Sequence, residues 1–202
     1  LVPLAKAGVR VAGFDPSPEM LAQCRERCAA AGLAVDLSQQ RFEDFQYDRS
    51  FAAVLVPVGS FTLVADYDTA LAVLRRFYAH LAPGGILIID VPALQALAAV
   101  ADDRRRWTTP SGDLLTLEGI RTATDWLRQT AETTYRYERW RAGELVQAQI
   151  EVMKQRYWGL QELRLALESS GFTEIAASGS YQPREPRPSD KGWTVEARRP
   201  AT

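Results

Sequence analysis

The stretch VRVAGFDPSPEML, Val9 to Leu21, decides how the chain reads. Its first half is apolar and β-branched with no polar alternation, the pattern of a parallel strand covered on both faces. The run ends on one acid, Asp15, and then meets Pro16 and Pro18. Ser17 reads as a helix N-cap, Pro18 as the first helical residue, and Glu19 as the acid of the first turn. Met20, Leu21, Cys24 and Cys28 keep helical spacing until Gly32, where the helix closes. Sites at the carboxyl ends of parallel strands are built from such strand–turn–helix units. The Asp15 carboxylate itself has two readings: an Asx-type turn into Pro16, or a ligand group.

Working outward, LAVDL (Leu33–Leu37) is a short strand and FAAVLVPV (Phe51–Val58) a second buried one. An amphipathic helix follows from Asp66 or Asp68, then a PGG turn (Pro83–Gly85), then the buried strand ILIIDV (Ile86–Val91). Strand and helix alternate, as in a parallel sheet wrapped on both sides. From Trp107 to Arg156 the pattern changes to runs of Thr, Tyr, Trp, Val and Ile broken by SGD and RAGE. These read as antiparallel strands with two hairpin turns. WGLQELRLALESSGF returns to a helix. FTEIAASGSY and WTVEARRP are two closing strands, joined by the Pro- and charge-rich loop QPREPRPSDKG, expected to be mobile. The expectation is an α/β, Rossmann-like doubly wound sheet, mostly parallel with antiparallel C-terminal strands. Residues 1–202 form one domain, and an antiparallel β insertion occupies residues 104–156.

Bulk properties narrow the class. The 202 residues suit one domain with an insertion. A net charge of -1 gives no support to nucleic acid or an anionic membrane as partner. DDRRRW pairs two acids with its three arginines and reads as a solvated segment. No apolar run approaches the roughly 20 residues that span a bilayer, and no secretory pattern is read, so a cytoplasmic place is expected. Cys24 and Cys28 lie one helical turn apart, a poor geometry for a disulfide, and read as reduced small hydrophobes. His80 is the only histidine, too few ligands for a metal site, and reads as a helix-terminal residue favoured by the dipole.

Five segments, GVRVAGFDPSPEML, QQRFEDF, FAAVLVPVGSF, HLAPGGILIIDV and ELRLALESSGF, resemble in order and spacing the Rossmann-like (class I) S-adenosylmethionine-dependent methyltransferases. The resemblance implies S-adenosylmethionine as cofactor. It places Asp15 on the ribose hydroxyls, where one carboxylate accepts two hydrogen bonds from a diol. It counts Pro16 and Met20 among the cofactor-binding residues with Asp15. QQRFEDF matches the loop that frames the adenine, with Phe42 on the ring and the Arg41 and Phe42 backbone at its edge. Arg41 stands where many relatives carry an acid. Phe42 and Phe45 also read as core plugs. VPVGSF matches the loop along the methionine part, so Val56 and Pro57 are its wall while Ser60 and Phe61 face the reacting centre.

The family's glycine-rich loop after the first strand has no counterpart here, and LVPLAKAG resembles the second half of the helix that follows it. The expectation is a chain beginning just after those glycines, its parent carrying the first strand upstream.

Methyl transfer from a sulfonium is an in-line displacement, so positioning carries much of the catalysis and an acid–base residue is optional. The insertion, following the third buried strand, is where recognition of a small-molecule acceptor is expected. Trp107, Tyr135, Tyr137, Glu138 and Tyr157 are its candidate lining; Tyr135 and Tyr137 share one strand face, Arg136 and Glu138 the other. Packing of one face and solvation of the other is the plain alternative. A homodimer contact is another use of the insertion. Two other classes compete: a non-catalytic relative of the same fold, and a nicotinamide-dependent oxidoreductase. The second would lack the tail pattern ESSGFTEI and WTVEARRP.

Overall fold

A computed structural model of the chain describes residues 1–98, 102–179 and 181–201. It divides into two compact units, Leu1–Asp48 and Arg49–Thr202.

The first unit holds α1 (Val2–Lys6), β1 (Ala12–Asp15), α2 (Pro18–Ala30) and β2 (Asp36–Gln39). The expected start of α2 is present: Ser17 Oγ accepts the Met20 N–H at 3.1 Å and Pro18 opens the helix. The helix ends in a left-handed Gly32, with the Leu33 N–H reaching back to the Cys28 carbonyl at 2.9 Å. That motif consumes Leu33, so the strand expected over Leu33–Leu37 begins at Asp36 instead. β1 and β2 pair in parallel, Ala12 with Asp36 through Asp15 with Gln39. Phe14 packs into a small aromatic core, its ring stacked on Phe45 at 4.9 Å and edge-on to Phe42 at 5.7 Å. Both cysteines are free thiols.

The second unit contains a mixed sheet of β3 (Phe51–Val56), β4 (Leu81–Pro92), β10 (Gly192–Arg198) and β9 (Thr173–Gly179), in that spatial order. β3 and β4 are parallel; β10 is antiparallel to both neighbours. Only one of the two C-terminal strands therefore runs against the sheet. The helices α3 (Tyr67–His80) and α4 (Leu160–Ser169) carry amphipathic faces whose Val73, Leu74, Phe77, Leu163 and Leu167 are buried. Asp66 caps α3 through the Thr69 N–H at 2.9 Å. His80 ends it, buried, with Nδ1 2.9 Å from the Arg76 carbonyl.

Several sequence expectations shift here. β1 and β3 are not covered on both faces: all of Ala12–Asp15 is half-buried, and Leu55 is 50% exposed. Each is the edge strand of its sheet among the described residues. PGG is a bulge inside a longer ladder. Phe51 pairs with Leu81, and pairing resumes at Ala53 with Ile86. Gly84 is left-handed, and a Cβ on Gly85 would meet the Ala82 carbonyl oxygen at 2.8 Å. The insertion is a four-stranded meander: β5 (Asp102–Thr108), β6 (Leu114–Asp125), β7 (Thr130–Arg141) and β8 (Glu144–Arg156). It has three turns rather than two. The unexpected one, Trp126–Gln129, contains neither Gly nor Pro; Asp125 makes it by accepting the Arg128 N–H at 2.9 Å. The 181–191 loop, expected to be mobile, is organised by a paired Arg184 and Asp190, the latter 8% exposed. Ser180, in the expected strand FTEIAASGSY, lies outside the described residues.

The meander is rooted in the core of this unit by Arg156, the last residue of β8. Its guanidinium lies 4.8 Å from the Tyr67 ring and 4.7 Å from the Trp158 ring. It donates to the Arg128 carbonyl at 2.8 Å and to Glu162 Oε1 at 2.6 Å. Glu162 in turn accepts the Gly159 N–H at the start of α4, at 3.3 Å. We predict that Arg156→Met destabilises the fold by about 3 kcal/mol, because it leaves the Glu162 carboxylate unpaired. The double variant Arg156→Met, Glu162→Gln should recover part of that loss. Urea unfolding of the three proteins checks it; strictly additive losses would show that the pair is not coupled.

Candidate functional site

In the first unit, β1 delivers Asp15 to the carboxyl end of a parallel strand, half-buried. Its Oδ1 accepts the Ser17 N–H at 2.8 Å. The Asx-type turn is therefore real, and it fixes the carboxylate. Oδ2 has no hydrogen-bond partner among the described residues, so one oxygen stays available to a donor. Pro16 follows, exposed, its carbonyl accepting the Gln39 amide at 3.1 Å. Met20 is 55% exposed on the first turn of α2. Arg41 is exposed, but its backbone is in use: its N–H donates to Asp44 Oδ1 at 3.1 Å and its carbonyl accepts from Phe45 at 2.9 Å. Phe42 is half-buried, with one edge given to Phe14.

In the second unit, β3 ends on the buried Val56, and the chain turns through Pro57, Val58 and Gly59. Val58 and Gly59 are both left-handed, a strained choice for a β-branched residue. Asp90 compensates. Its Oδ2 accepts the Val58 N–H at 3.1 Å and the Tyr181 hydroxyl at 2.9 Å, and its Oδ1 accepts the Thr194 hydroxyl at 2.8 Å. The Tyr181 phenol is pushed up by its bond to Asp90 and by burial. Asp90 ends the run ILIID much as Asp15 ends VAGFD, so the same signal pointed to both. Ser60 is half-buried, its hydroxyl turned back to the Pro57 carbonyl at 2.9 Å. Phe61 does not face an open centre. It is fully buried and stacked on Trp158 at 5.6 Å, because the turn of Ser60–Leu63 directs its ring into the core.

The meander gathers part of the expected acceptor lining. Trp107, Leu115, Tyr137, Arg139, Gln147 and Gln149, with the Thr116 and Glu138 positions, surround an open cavity of about 200 Å³. Cross-strand register explains it: Trp107 opposes Leu115, Leu117 opposes Tyr137, and Tyr137 opposes Gln149, so these side chains share one face. Tyr135 is the next residue along that face, its ring 6.3 Å from that of Tyr137. It lies over Gly119, where a Cβ would come within 2.7 Å of the ring. Burial pushes both phenols up, joined by the nearby Asp103 for Tyr135 and Glu151 for Tyr137. The Glu138 carboxylate points to the other face, bound by Thr116, Trp140 and Arg136. Tyr157 stands apart from the cavity. It is buried beside Leu97 and Ala131, its hydroxyl accepting from Arg121 at 2.9 Å.

Sequence reading missed the ion pairs next to Arg139 of the lining. Asp113, 3% exposed, holds Arg141 in a two-bond fork at 3.0 Å and lies 3.4 Å from Arg139. The Arg141 hydrogen bonds hold the Asp113 carboxyl below its ordinary range, against burial. A depressed carboxyl contributes stability above its unfolded-state value and loses it as pH falls through the folded one. Wild type should therefore lose more stability than Asp113→Asn between neutral pH and pH below about 4. Parallel acid-side denaturation curves would contradict this.

The comparisons with known proteins bear on both units. Residues 1–85 match a methyltransferase domain family. A cypemycin N-terminal methyltransferase from Streptomyces sp is 29% identical over 191 residues, covering 88% of this chain and 69% of that protein. An S-adenosylmethionine-dependent methyltransferase from Clostridium acetobutylicum superposes with a TM-score of 0.82 at 16% identity, covering 98% of this chain and 78% of that one. A sugar N-methyltransferase from Streptoalloteichus sp gives 0.73 at 19%, covering 94% and 70%. At these identities the structural likeness is one of fold.

Proposed function

We propose that the chain is a class I S-adenosylmethionine-dependent methyltransferase and that its acceptor is the amine nitrogen of a small molecule; the match of residues 1–85 to a methyltransferase domain family, the relative 29% identical over 191 residues and the likeness of fold support this. The observation that carries this reading is the cavity on the meander face, walled by Trp107, Leu115 and Tyr137 and rimmed by the carboxamides of Gln147 and Gln149. It offers an apolar platform and hydrogen-bonding groups. Among the described residues of its lining the one carboxylate, Glu138, is already bound on the other face. A Tyr137 phenol pushed up by burial stays protonated at neutral pH. An amine reaching the cavity as the free base attacks without a protein base, whereas a sugar hydroxyl needs its proton removed in the transition state. The names of an N-terminal and a sugar N-methyltransferase among the relatives agree with nitrogen as the target.

When bound, S-adenosylmethionine supplies an activated methyl group for in-line displacement. The residues assigned to it are those of the resemblance. Asp15 fits the role, since its free oxygen can accept a ribose hydroxyl while the Ser17 amide keeps the carboxylate aimed. Pro16 and Met20 border it. Phe42 and the Arg41 region stand for the adenine frame, and Val56, Pro57 and Ser60 for the methionine wall. Tyr135 extends the acceptor platform beside Tyr137. We read residues 1–202 as one catalytic domain, the meander as its recognition element and its surface of self-association, and the cytoplasm, where its two free thiols persist, as its place. No helix of the described residues is long and apolar enough to cross a membrane.

The test is formation of S-adenosylhomocysteine with an amino sugar and with the matching sugar that bears a hydroxyl at that carbon. Turnover of the amine alone is expected, and Asp15→Ala should weaken cofactor binding by about 1–3 kcal/mol without changing that preference. Equal turnover of the hydroxyl sugar would overturn nitrogen as the acceptor; unchanged cofactor affinity would remove Asp15 from the site.

A further inference from the structure

β8 is the outermost strand of the meander, paired with β7 along one edge and with no described strand along the other; among the described residues, its one side-chain tie beyond the meander's strands before Arg156 is Gln155 to the Thr62 hydroxyl, at its far end. It is thirteen residues long and contains no proline. Proteins usually shorten, charge or bend such an edge to keep it from pairing. Here Val146, Ile150 and Val152 are 47%, 67% and 63% exposed.

The sequence of β8 is chemically symmetric about Gln149. Laid antiparallel on a second copy with the two-fold axis at Gln149, Val146 opposes Val152, Ala148 opposes Ile150, and Gln147 opposes Glu151. Gln149 opposes itself. β8 bulges against β7 at Val146, and beyond that bulge Glu144 approaches Lys154, opposite in charge. Moving the axis by one residue destroys the match. Centred on Ala148, Leu145 opposes Glu151 and Glu144 opposes Val152. Centred on Ile150, Val146 opposes Lys154 and Leu145 opposes Gln155. Opposed residues of an antiparallel pair share a face. The Gln149 register therefore joins the Val146–Ala148–Ile150–Val152 stripes of the two copies on one face and their amides on the other.

We propose that two copies of this chain pair β8 to β8 in that register, merging two four-stranded meanders into one eight-stranded sheet. The contact is isologous and closed, as a two-fold dimer requires. It also bears on the cavity, because Gln147 and Gln149 line it. Glu151 and Gln149 of the second copy then stand directly across from them and extend the rim. That extension rests on the acceptor reading above; the pairing does not.

Light scattering should give twice the 22.5 kDa chain mass at micromolar concentration. Gln149→Cys should cross-link to its own counterpart under mild oxidation. Val152→Cys, which faces Val146 of the other copy, should not, and wild type should not. Gln149→Lys sets two like charges opposite each other on the axis and should return the mass to that of one chain. A monomeric wild type, an undiminished Gln149→Lys dimer, or cross-linking of Val152→Cys as complete as that of Gln149→Cys would each overturn the proposal. A chain that fails to methylate amines yet gives these masses and cross-links would refute the acceptor reading alone.

Discussion

Arg156 is the contact on which the larger unit depends. A guanidinium held between the Tyr67 and Trp158 rings is taken out of water, so its hydrogen bonds must be made inside the protein. Two are made, to the β6–β7 turn through the Arg128 carbonyl and to α4 through Glu162, and the Tyr67 ring adds the start of α3 as a cation–π partner. The same Trp158 ring stacks on Phe61, and the neighbouring Thr62 hydroxyl joins Gln155 of β8 to the Gly59 carbonyl. The root of the meander and the loop after β3 are thus fastened to one aromatic cluster. A disturbance at Arg156 reaches both the meander and the strained turn at Val58.

The carboxylates divide the remaining tasks by what surrounds them. Asp15 spends one oxygen on its own turn and keeps the other open. Asp90 spends both, tying the Val58 amide, Tyr181 and Thr194 together. Asp113 is buried and answered by arginine. Three acids of the same chemistry become a half-satisfied turn former, a loop clamp and a structural ion pair, decided by the number of donors each meets.

Local rules carried the sequence reading a long way. Ser17, Pro18 and Gly32 marked both ends of α2 because caps are set within a few residues. Ala142 and Gly143 marked the β7–β8 hairpin, where both residues are left-handed. The alternation of strand and helix, and the five segments in order, pointed to the Rossmann-like fold. What escaped depends on contacts distant in sequence or on side chains acting as turn formers. The Trp126–Gln129 turn is made by an aspartate rather than a glycine. Phe61 reads as a site residue from the loop VPVGSF that holds it, and Tyr157 with the candidate lining of the insertion, yet Trp158 and Arg121 draw them inward. The cavity needed the register of four strands, which no periodicity supplies: Leu115, Gln147 and Gln149 become its lining only once paired beside Trp107 and Tyr137.

The central claim is that this fold binds the methyl donor's nucleoside and not a dinucleotide, although both ligand classes use an acid after a parallel strand. Thermal unfolding with S-adenosylhomocysteine or with NAD separates them directly. The account predicts a rise in melting temperature with S-adenosylhomocysteine and none with NAD; stabilisation by NAD alone would contradict it.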